Sequence, residues 1–273
     1  MEGYAVITGA SMGLGRSFAR EAARRGINTI LVSLPGENLH LLAEELREMG
    51  TDSHAYETDM TVRDNIVKMC RWINERFEVF MLINNAGLGG TRSFVSCEVG
   101  YIDAIIQVNV MASTIITHQL LPNLLRQPRG YILNVSSMAA FSPIGYKTVY
   151  PASKRFLHYF SRGLYQELKG TSVFVSVVHP GPMKTNRDVT RRIERQGFFG
   201  RMGLLSPDAI AKISIGQLLK RDTMILPGTA NQFNWVLMHI VPVWAKLRLM
   251  SNVVARELEF EMQPVKDDYD EKK

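Results

Sequence analysis

Tyr150 and Lys154 stand four residues apart in Tyr150-Pro151-Ala152-Ser153-Lys154, a separation that brings a phenol and an ammonium to one face of a helix. A free phenol titrates at about 10, and a neighbouring cation favours its ionised form. Bringing that value toward neutrality amounts to about 3–4 kcal/mol toward proton transfer, so the pair has the makings of an acid/base centre. The same spacing also fits a packed aromatic beside a solvated charge. A second stretch, Thr8-Gly9-Ala10-Ser11-Met12-Gly13-Leu14-Gly15, follows an apolar run and opens a helical pattern. Backbone N–H groups and the helix dipole at such a turn can hold a pyrophosphate. Its G-x-x-x-G-x-G spacing differs from G-x-G-x-x-G and also fits a plain tight connection.

These residues need elements to carry them. Short apolar or β-branched runs alternate with helical patterns: Tyr4–Thr8, Gly13–Arg25, Asn28–Ser33, Glu37–Met49, His54–Glu57, Val62–Phe77 and Val79–Asn84. The alternation continues through a helix near Val99–Leu125, Tyr131–Val135, a helix near Val149–Leu168, Val173–Val178, a helix near Pro207–Lys220 and Thr223–Leu226. Continuous apolar strands joined by helical crossovers predict an α/β fold with a doubly wound parallel sheet of roughly seven strands. The expected organisation is one catalytic domain over residues 1–228, with a substrate loop near 184–205, and an amphipathic extension with a polar tail over 229–273.

Composition narrows the class. The 273 residues are 46% hydrophobic and 21% charged, which excludes disorder and low-complexity classes. Two cysteines, Cys70 and Cys97, make no disulfide framework and point to a reducing, cytoplasmic setting. None of the six histidines (His40, His54, His118, His158, His179, His239) has metal-ligand spacing to acids, so no metal is expected and most are read as structural. The start Met1-Glu2-Gly3 has no basic n-region, and Trp235–Leu247 falls short of the roughly 20 residues of a spanning helix, so neither a signal nor a transmembrane helix is expected. A net charge of +6 favours acidic partners such as phosphorylated small molecules; nucleic acid ranks last, with only the pI behind it.

The context of Tyr150 is a serine-rich strand end, Asn134-Val135-Ser136-Ser137-Met138, preceded by Asn84-Asn85-Ala86-Gly87 and followed by Pro180-Gly181-Pro182-Met183-Lys184-Thr185. With the glycine-rich turn these give T-G-x-x-x-G-x-G, N-N-A-G, S-x(12)-Y-x-x-x-K and P-G-x-x-x-T in one order. The chain resembles the short-chain dehydrogenase/reductase family, down to about residue 228. The resemblance implies a Rossmann fold, with Tyr150 as general acid/base, Lys154 on the nicotinamide ribose and lowering the Tyr150 pKa, and Ser137 orienting the substrate carbonyl. Asn109 matches the asparagine that holds a water behind the lysine; it also fits a polar residue that kinks a helix. Ser136 is read as bonding local backbone. For the dinucleotide, the resemblance points to Thr8, Gly9, Ser11, Gly13, Leu14, Gly15, Ser33, Asp59, Met60, Asn85, Ala86, Gly87, Pro180, Gly181 and Thr185 beside Tyr150 and Lys154. Dimers or tetramers are expected.

An acid at the end of the second strand would bond the ribose 2′-OH and repel a 2′-phosphate. Here Ser33-Leu34-Pro35-Gly36 precedes the first acid, Glu37, which favours NADP(H) over NAD(H). Arginine is common in the family at Leu34, and Arg16 is the candidate substitute. Residues 184–201 carry Lys184, Arg187, Arg191, Arg192, Arg195 and Arg201 against Asp188 and Glu194, suited to a phosphate-bearing acyl substrate or to a solvated helix face. Phe198-Phe199 reads as a lid or as core. Phe233, Trp235, Val236, Trp244, Leu247 and Leu249, with Lys246 and Arg248 among them, fit a membrane surface, a roof over a lipid-like substrate or a subunit contact. The pattern is nearest to the branch of 3-oxoacyl-CoA reductases, 3-ketosphinganine reductases and hydroxysteroid dehydrogenases, implying an acyl or lipid-like ketone. The rivals are a dinucleotide-binding sensor or scaffold without catalysis, and a reductase of small polar ketones or sugars.

Overall fold

The computed structural model describes residues 3–183 and 203–261, with side chains as far as Ala255. The first half runs β1 (Tyr4–Thr8), α1 (Gly13–Arg24), β2 (Asn28–Ser33), α2 (Leu39–Glu48), β3 (Ser53–Glu57), α3 (Arg63–Arg76) and β4 (Val79–Asn84). The second half runs α4 (Val99–Ile106), a π-helical turn (Gln107–Ala112), α5 (Ser113–Arg126), β5 (Gly130–Val135), a 3-10 turn (Met138–Phe141), α6 (Val149–Glu167) and β6 (Val173–Val178). It ends with α7 (Pro207–Leu219), β7 (Met224–Ile225), α8 (Thr229–Ile240) and α9 (Val243–Glu261).

Seven strands form one parallel sheet in the order β3-β2-β1-β4-β5-β6-β7. Strands β4, β5 and β6 are buried at every residue, because helices cover both faces of a parallel sheet and leave no solvated side for polar residues. One apolar layer joins Phe18, Leu42, Phe80 and Ile215 beneath α1, α2 and α7; the other joins Ile66, Met69, Leu82 and Leu120 beneath α3 and α5. Strand order reverses between β1 and β4, so their carboxyl ends diverge into the crevice where doubly wound sheets bind ligands.

The expected elements form with ends shifted by a residue or two, since hydrophobic period marks a helix body better than its caps. Two differences have physical causes. The single helix expected near Val99–Leu125 contains the π-helical turn, whose wider loop turns buried Asn109 toward the crevice. Lys246, one of the two cations of the amphipathic segment, lies inside with its amine on the Met238 carbonyl at 2.6 Å, because the turn between α8 and α9 leaves that carbonyl in need of a donor. The stretch Val99–Arg126 is long and apolar enough to cross a bilayer. In the fold it lies along the sheet, with Ile116 and Leu120 in the core and Asn109, Thr117 and Asn123 buried.

Candidate active site

Strand β5 ends at Val135, and the chain turns through Ser136 and Ser137 into the 3-10 turn, while α6 starts at Val149 and presents Tyr150 and Lys154 on its first turns. Lys154 is buried; its amine donates to the Val135 carbonyl at 2.9 Å, and burial lowers it to about 8. Ser136 donates to the Lys154 carbonyl at 2.7 Å, main chain as expected but on α6 rather than local, because the strand end packs against that helix. The Ser137 hydroxyl accepts from Ala139 N–H at 3.1 Å and hydrogen-bonds the Tyr150 phenol. Burial pushes that phenol above its ordinary value, and the Ser137 bond opposes the rise by stabilising the phenolate. The Lys154 amine lies 5.9 Å from the Tyr150 ring centre. Hydroxyl, phenol and ammonium thus meet in one place, arranged to hold and move a proton.

Asn109 reaches the same place from behind. Its oxygen accepts from Leu88 N–H at 2.8 Å, and its amide donates to the Leu88 carbonyl and Ser153 Oγ, both at 2.9 Å. Its side chain is thereby committed to main chain and to α6. A Cβ on Gly87 would stand 3.0 Å from the Lys154 amine and 3.3 Å from Asn109 Oδ1, so the N-N-A-G segment approaches the lysine closely.

The turn after β1 fits a dinucleotide. A Cβ on Gly15 would lie 1.9 Å from the Gly9 carbonyl oxygen, and Gly9 sits at φ +65°, so the chain doubles back with no side chain in the way. Helix α1 begins there with no side-chain cap on its first N–H groups and no acid in its first turn, which leaves a positive helix end for an anion. Thr8 Oγ1 accepts from Asn85 and Ala86 N–H, both at 3.0 Å, and the Asn85 amide returns to the carbonyls of Thr8 and Gly9 at 2.9 and 3.1 Å. Leu14 and Met60 place their side chains in the core, which leaves only their main chain for a ligand. Asp59 is occupied by Thr61 N–H and hydroxyl, both at 2.8 Å. The Pro180 carbonyl accepts from Met138 N–H at 3.0 Å, and Gly181 packs on Asn231. At the β2 end Ser33 donates to the Leu34 carbonyl at 3.1 Å, Glu37 accepts a short hydrogen bond from Ser11, and Arg16 is paired with Glu45 at 3.1 Å. Thr185, the basic stretch 184–201 and Phe198-Phe199 lie outside the described residues.

Beside Tyr150 lies a small opening, a cleft lined by Arg92, Phe94, Cys97, Tyr101, Tyr146 and Lys147 among others. Nothing in the sequence marked Arg92, which belongs to a connection without period or motif. His158 and His179 were also missed as site residues: they stand directly behind Ser137. The available signals were that His158 follows Lys154 by one helical turn and that His179 abuts Pro180-Gly181.

Comparison with known proteins agrees with this geometry. The short chain dehydrogenase family profile matches residues 3–196. A very-long-chain 3-oxoacyl-CoA reductase from Anas platyrhynchos is 31% identical over 246 residues, covering 88% of this chain and 74% of that protein. Among solved structures, a short-chain dehydrogenase from Sphingobium yanoikuyae in complex with NADPH has a TM-score of 0.75 and 25% identity over 98% of both chains. A short chain dehydrogenase/reductase from Burkholderia phymatum in complex with NAD shares the fold, with a TM-score of 0.77 and 24% identity over 86% of this chain and 92% of that one. A glycine turn open to pyrophosphate at one end of the crevice, and a tyrosine held between a serine and a buried lysine at the other, mark the chain as a member of the short-chain dehydrogenase family and an NAD(P)-dependent oxidoreductase.

Proposed function

We propose that the protein interconverts a ketone and a secondary alcohol, acting on an acyl or lipid-like carbonyl. The observation that carries this is the meeting of Ser137, Tyr150 and Lys154 at the mouth of the Gly87 crevice. When bound, the dinucleotide supplies or accepts the hydride. Tyr150 passes its phenolic proton to the carbonyl oxygen as the alcohol forms, and takes it back in the reverse direction. Ser137 directs its hydroxyl at the same oxygen and fixes the carbonyl in place. Lys154 would hold the nicotinamide ribose and stabilises the Tyr150 phenolate, with Asn109 holding the Leu88 main chain and Ser153 behind it. Thr8, Gly9, Ser11, Gly13, Leu14 and Gly15 cradle the pyrophosphate. Asn85, Ala86 and Gly87 form the crevice wall, and Asp59 and Met60 would hold the adenine through the main chain. Pro180 and Gly181 would border the nicotinamide, a role the family resemblance extends to Thr185.

Tyr150→Phe removes the proton and leaves the cradle, so turnover falls by about 10²–10⁴-fold while coenzyme affinity holds. Stopped-assay kinetics and coenzyme titration of the two proteins check this, and near-normal turnover by the phenylalanine variant would remove the acid/base role.

For the coenzyme we read NADP(H), supported by Ser33 and by the lack of an acid within the β2 end. The Glu37 carboxylate must leave Ser11 to admit a 2′-phosphate, so Glu37→Gln tightens NADPH and leaves NADH nearly unchanged. The cleft supports the substrate reading: Phe94 and Ile105 offer apolar contact, and the Arg92 cation offers an anchor for a phosphate-bearing head. Consumption of NADPH and NADH with 3-oxoacyl-CoAs of increasing chain length, 3-ketosphinganine and ketosteroids tests cofactor and substrate together. Silence on all of them, with turnover of small polar ketones, would replace the lipid reading. On α8 and α9, Phe233, Ile240, Val243 and Trp244 are exposed, which supports a contact with a lipid surface or a second subunit. Vesicle flotation and the sedimentation mass distinguish the two.

A further inference from the structure

We propose that His179, fixed in one tautomer by His158, is a positioning residue that sets Ser137 against Tyr150. This rests on the reading of Ser137 and Tyr150 as the proton-handling pair. His179 is fully buried at the end of β6, where its N–H pairs with the Ile225 carbonyl of β7 at 2.9 Å. Its Nδ1 lies 3.1 Å from the main-chain carbonyl of Ser137. A carbonyl has no proton to give, so Nδ1 carries the hydrogen and donates. A neutral imidazole protonated at Nδ1 presents Nε2 as an acceptor, and His158 Nδ1 stands 3.0 Å from it. His158 therefore also carries its hydrogen on Nδ1. The direction of the chain is fixed: His158 donates to His179, and His179 donates to Ser137.

The ends of this chain belong to the two elements that must stay in register. His158 lies one turn beyond Lys154 on α6, the helix that bears Tyr150. The Ser137 carbonyl and Met138 N–H are two faces of one peptide unit, held by consecutive residues: the first by His179, the second by the Pro180 carbonyl at 3.0 Å. That peptide cannot rotate without breaking both bonds, and its orientation aims the Ser137 hydroxyl.

The surroundings keep the bridge neutral. Phe141 packs 4.5 Å from His179 and 5.6 Å from His158, ring centre to ring centre. The ionisable groups that act on the pair are Lys154, Arg155 and Arg162 from α6 and His239 from α8, every one a base. Burial first, and these bases second, hold His158 down to about 4 and His179 to about 3. A proton on His179 Nε2 would set donor against donor and open the bridge.

The test separates the chain from mere packing. An asparagine amide stands where Nδ1 stands, so His179→Asn keeps the donor to Ser137, whereas His179→Leu fills the space without it. The readout is the titration of the Tyr150 phenol, taken as the ultraviolet difference between each protein and the same protein carrying Tyr150→Phe; it needs no substrate. We expect the phenol to become about a tenfold weaker acid in His179→Leu, because a displaced Ser137 no longer steadies the phenolate, and to recover in His179→Asn. In turnover of a 3-oxoacyl-CoA the leucine variant loses about tenfold in kcat, with KM little changed. His158→Phe, which leaves the core residue intact, gives a smaller shift in the same direction and serves if His179→Leu does not fold. An unmoved phenol in both His179→Leu and His158→Phe, or equal damage in His179→Asn and His179→Leu, overturns the proposal. A shifted phenol in a protein that turns over no ketone keeps the positioning role and removes the proposed function instead.

Discussion

The coenzyme side of the crevice and the C-terminal helices turn opposite kinds of side chain to their surroundings. At the ends of β1 and β4, polar side chains bind main-chain atoms: buried Thr8 Oγ1 takes two N–H groups at 3.0 Å, and the half-buried Asn85 amide donates to two carbonyls. On α8 and α9, large apolar side chains face solvent, with Ile240 74% and Trp244 73% exposed, and attachment runs through contacts such as Gly145 N–H to Ser251 Oγ at 2.8 Å and the Phe141–Trp235 ring pair. A backbone that must meet a pyrophosphate at fixed distance needs its own polar groups satisfied and immobile. The inner side of α8 and α9 uses the same kind of bond, Asn231 to the Gly203 and Pro227 carbonyls and Lys246 to the Met238 carbonyl, so the contrast lies in the outer face, where hydrophobic side chains stand exposed.

Alanine at Gly15 should break the first region outright. Its Cβ meets backbone rather than a side chain that can turn away, so destabilisation of about 3 kcal/mol or more and loss of coenzyme binding are expected, read by thermal unfolding and coenzyme titration. Thr8→Val comes next: it keeps the shape and removes the acceptor for two N–H groups, at about 1–3 kcal/mol, while Thr8→Ser retains most of the stability.

A graded effect of pH follows from the histidines behind Ser137. Their ordinary value of 6.5 is lowered to about 4 and about 3 in the fold, so below pH 6.5 the unfolded chain takes up protons that the folded one refuses. Stability is full above pH 6.5 and declines as pH falls toward 4, before Glu45, held below its ordinary 4.5 chiefly by Arg20, begins to contribute. Melting temperature against pH should show this decline in the wild type and a flatter profile in His179→Asn. The smallest effect is at the exposed helices. Trp244→Ser should change unfolding free energy by no more than about 0.5 kcal/mol while lowering recovery on floated vesicles. A large loss of stability there would mean that α9 is packed as firmly as the crevice.

Much of the site was legible because its residues work through local spacing. Tyr150 and Lys154 share a helix face at i and i+4, and the glycine turn joins one strand to one helix. The alternating pattern of β1 to β6 was equally plain, since strands covered on both faces are apolar throughout. Ser33 and Glu37 show the limit. Read in a line, Glu37 is four residues past the strand; in space it bonds Ser11 on the neighbouring turn. Arg16, the candidate partner for a 2′-phosphate, is taken by Glu45 from α2.

The sequence by itself therefore determined the parallel sheet, the glycine turn between one strand and one helix, and the placing of Tyr150 and Lys154 on one helix face, because each is written in period or spacing within one or two adjoining elements; the roles proposed for those residues rest on the family resemblance. Tertiary structure alone decided what stands behind and beside them. The chain from His158 through His179 to Ser137, the hold of Asn109 on Leu88 and Ser153, and Arg92 in the cleft join residues from 21 to 58 positions apart. Such pairings follow from how α6, β6 and the π-helical turn pack at one end of the sheet, and no local pattern encodes a contact between side chains that meet only there.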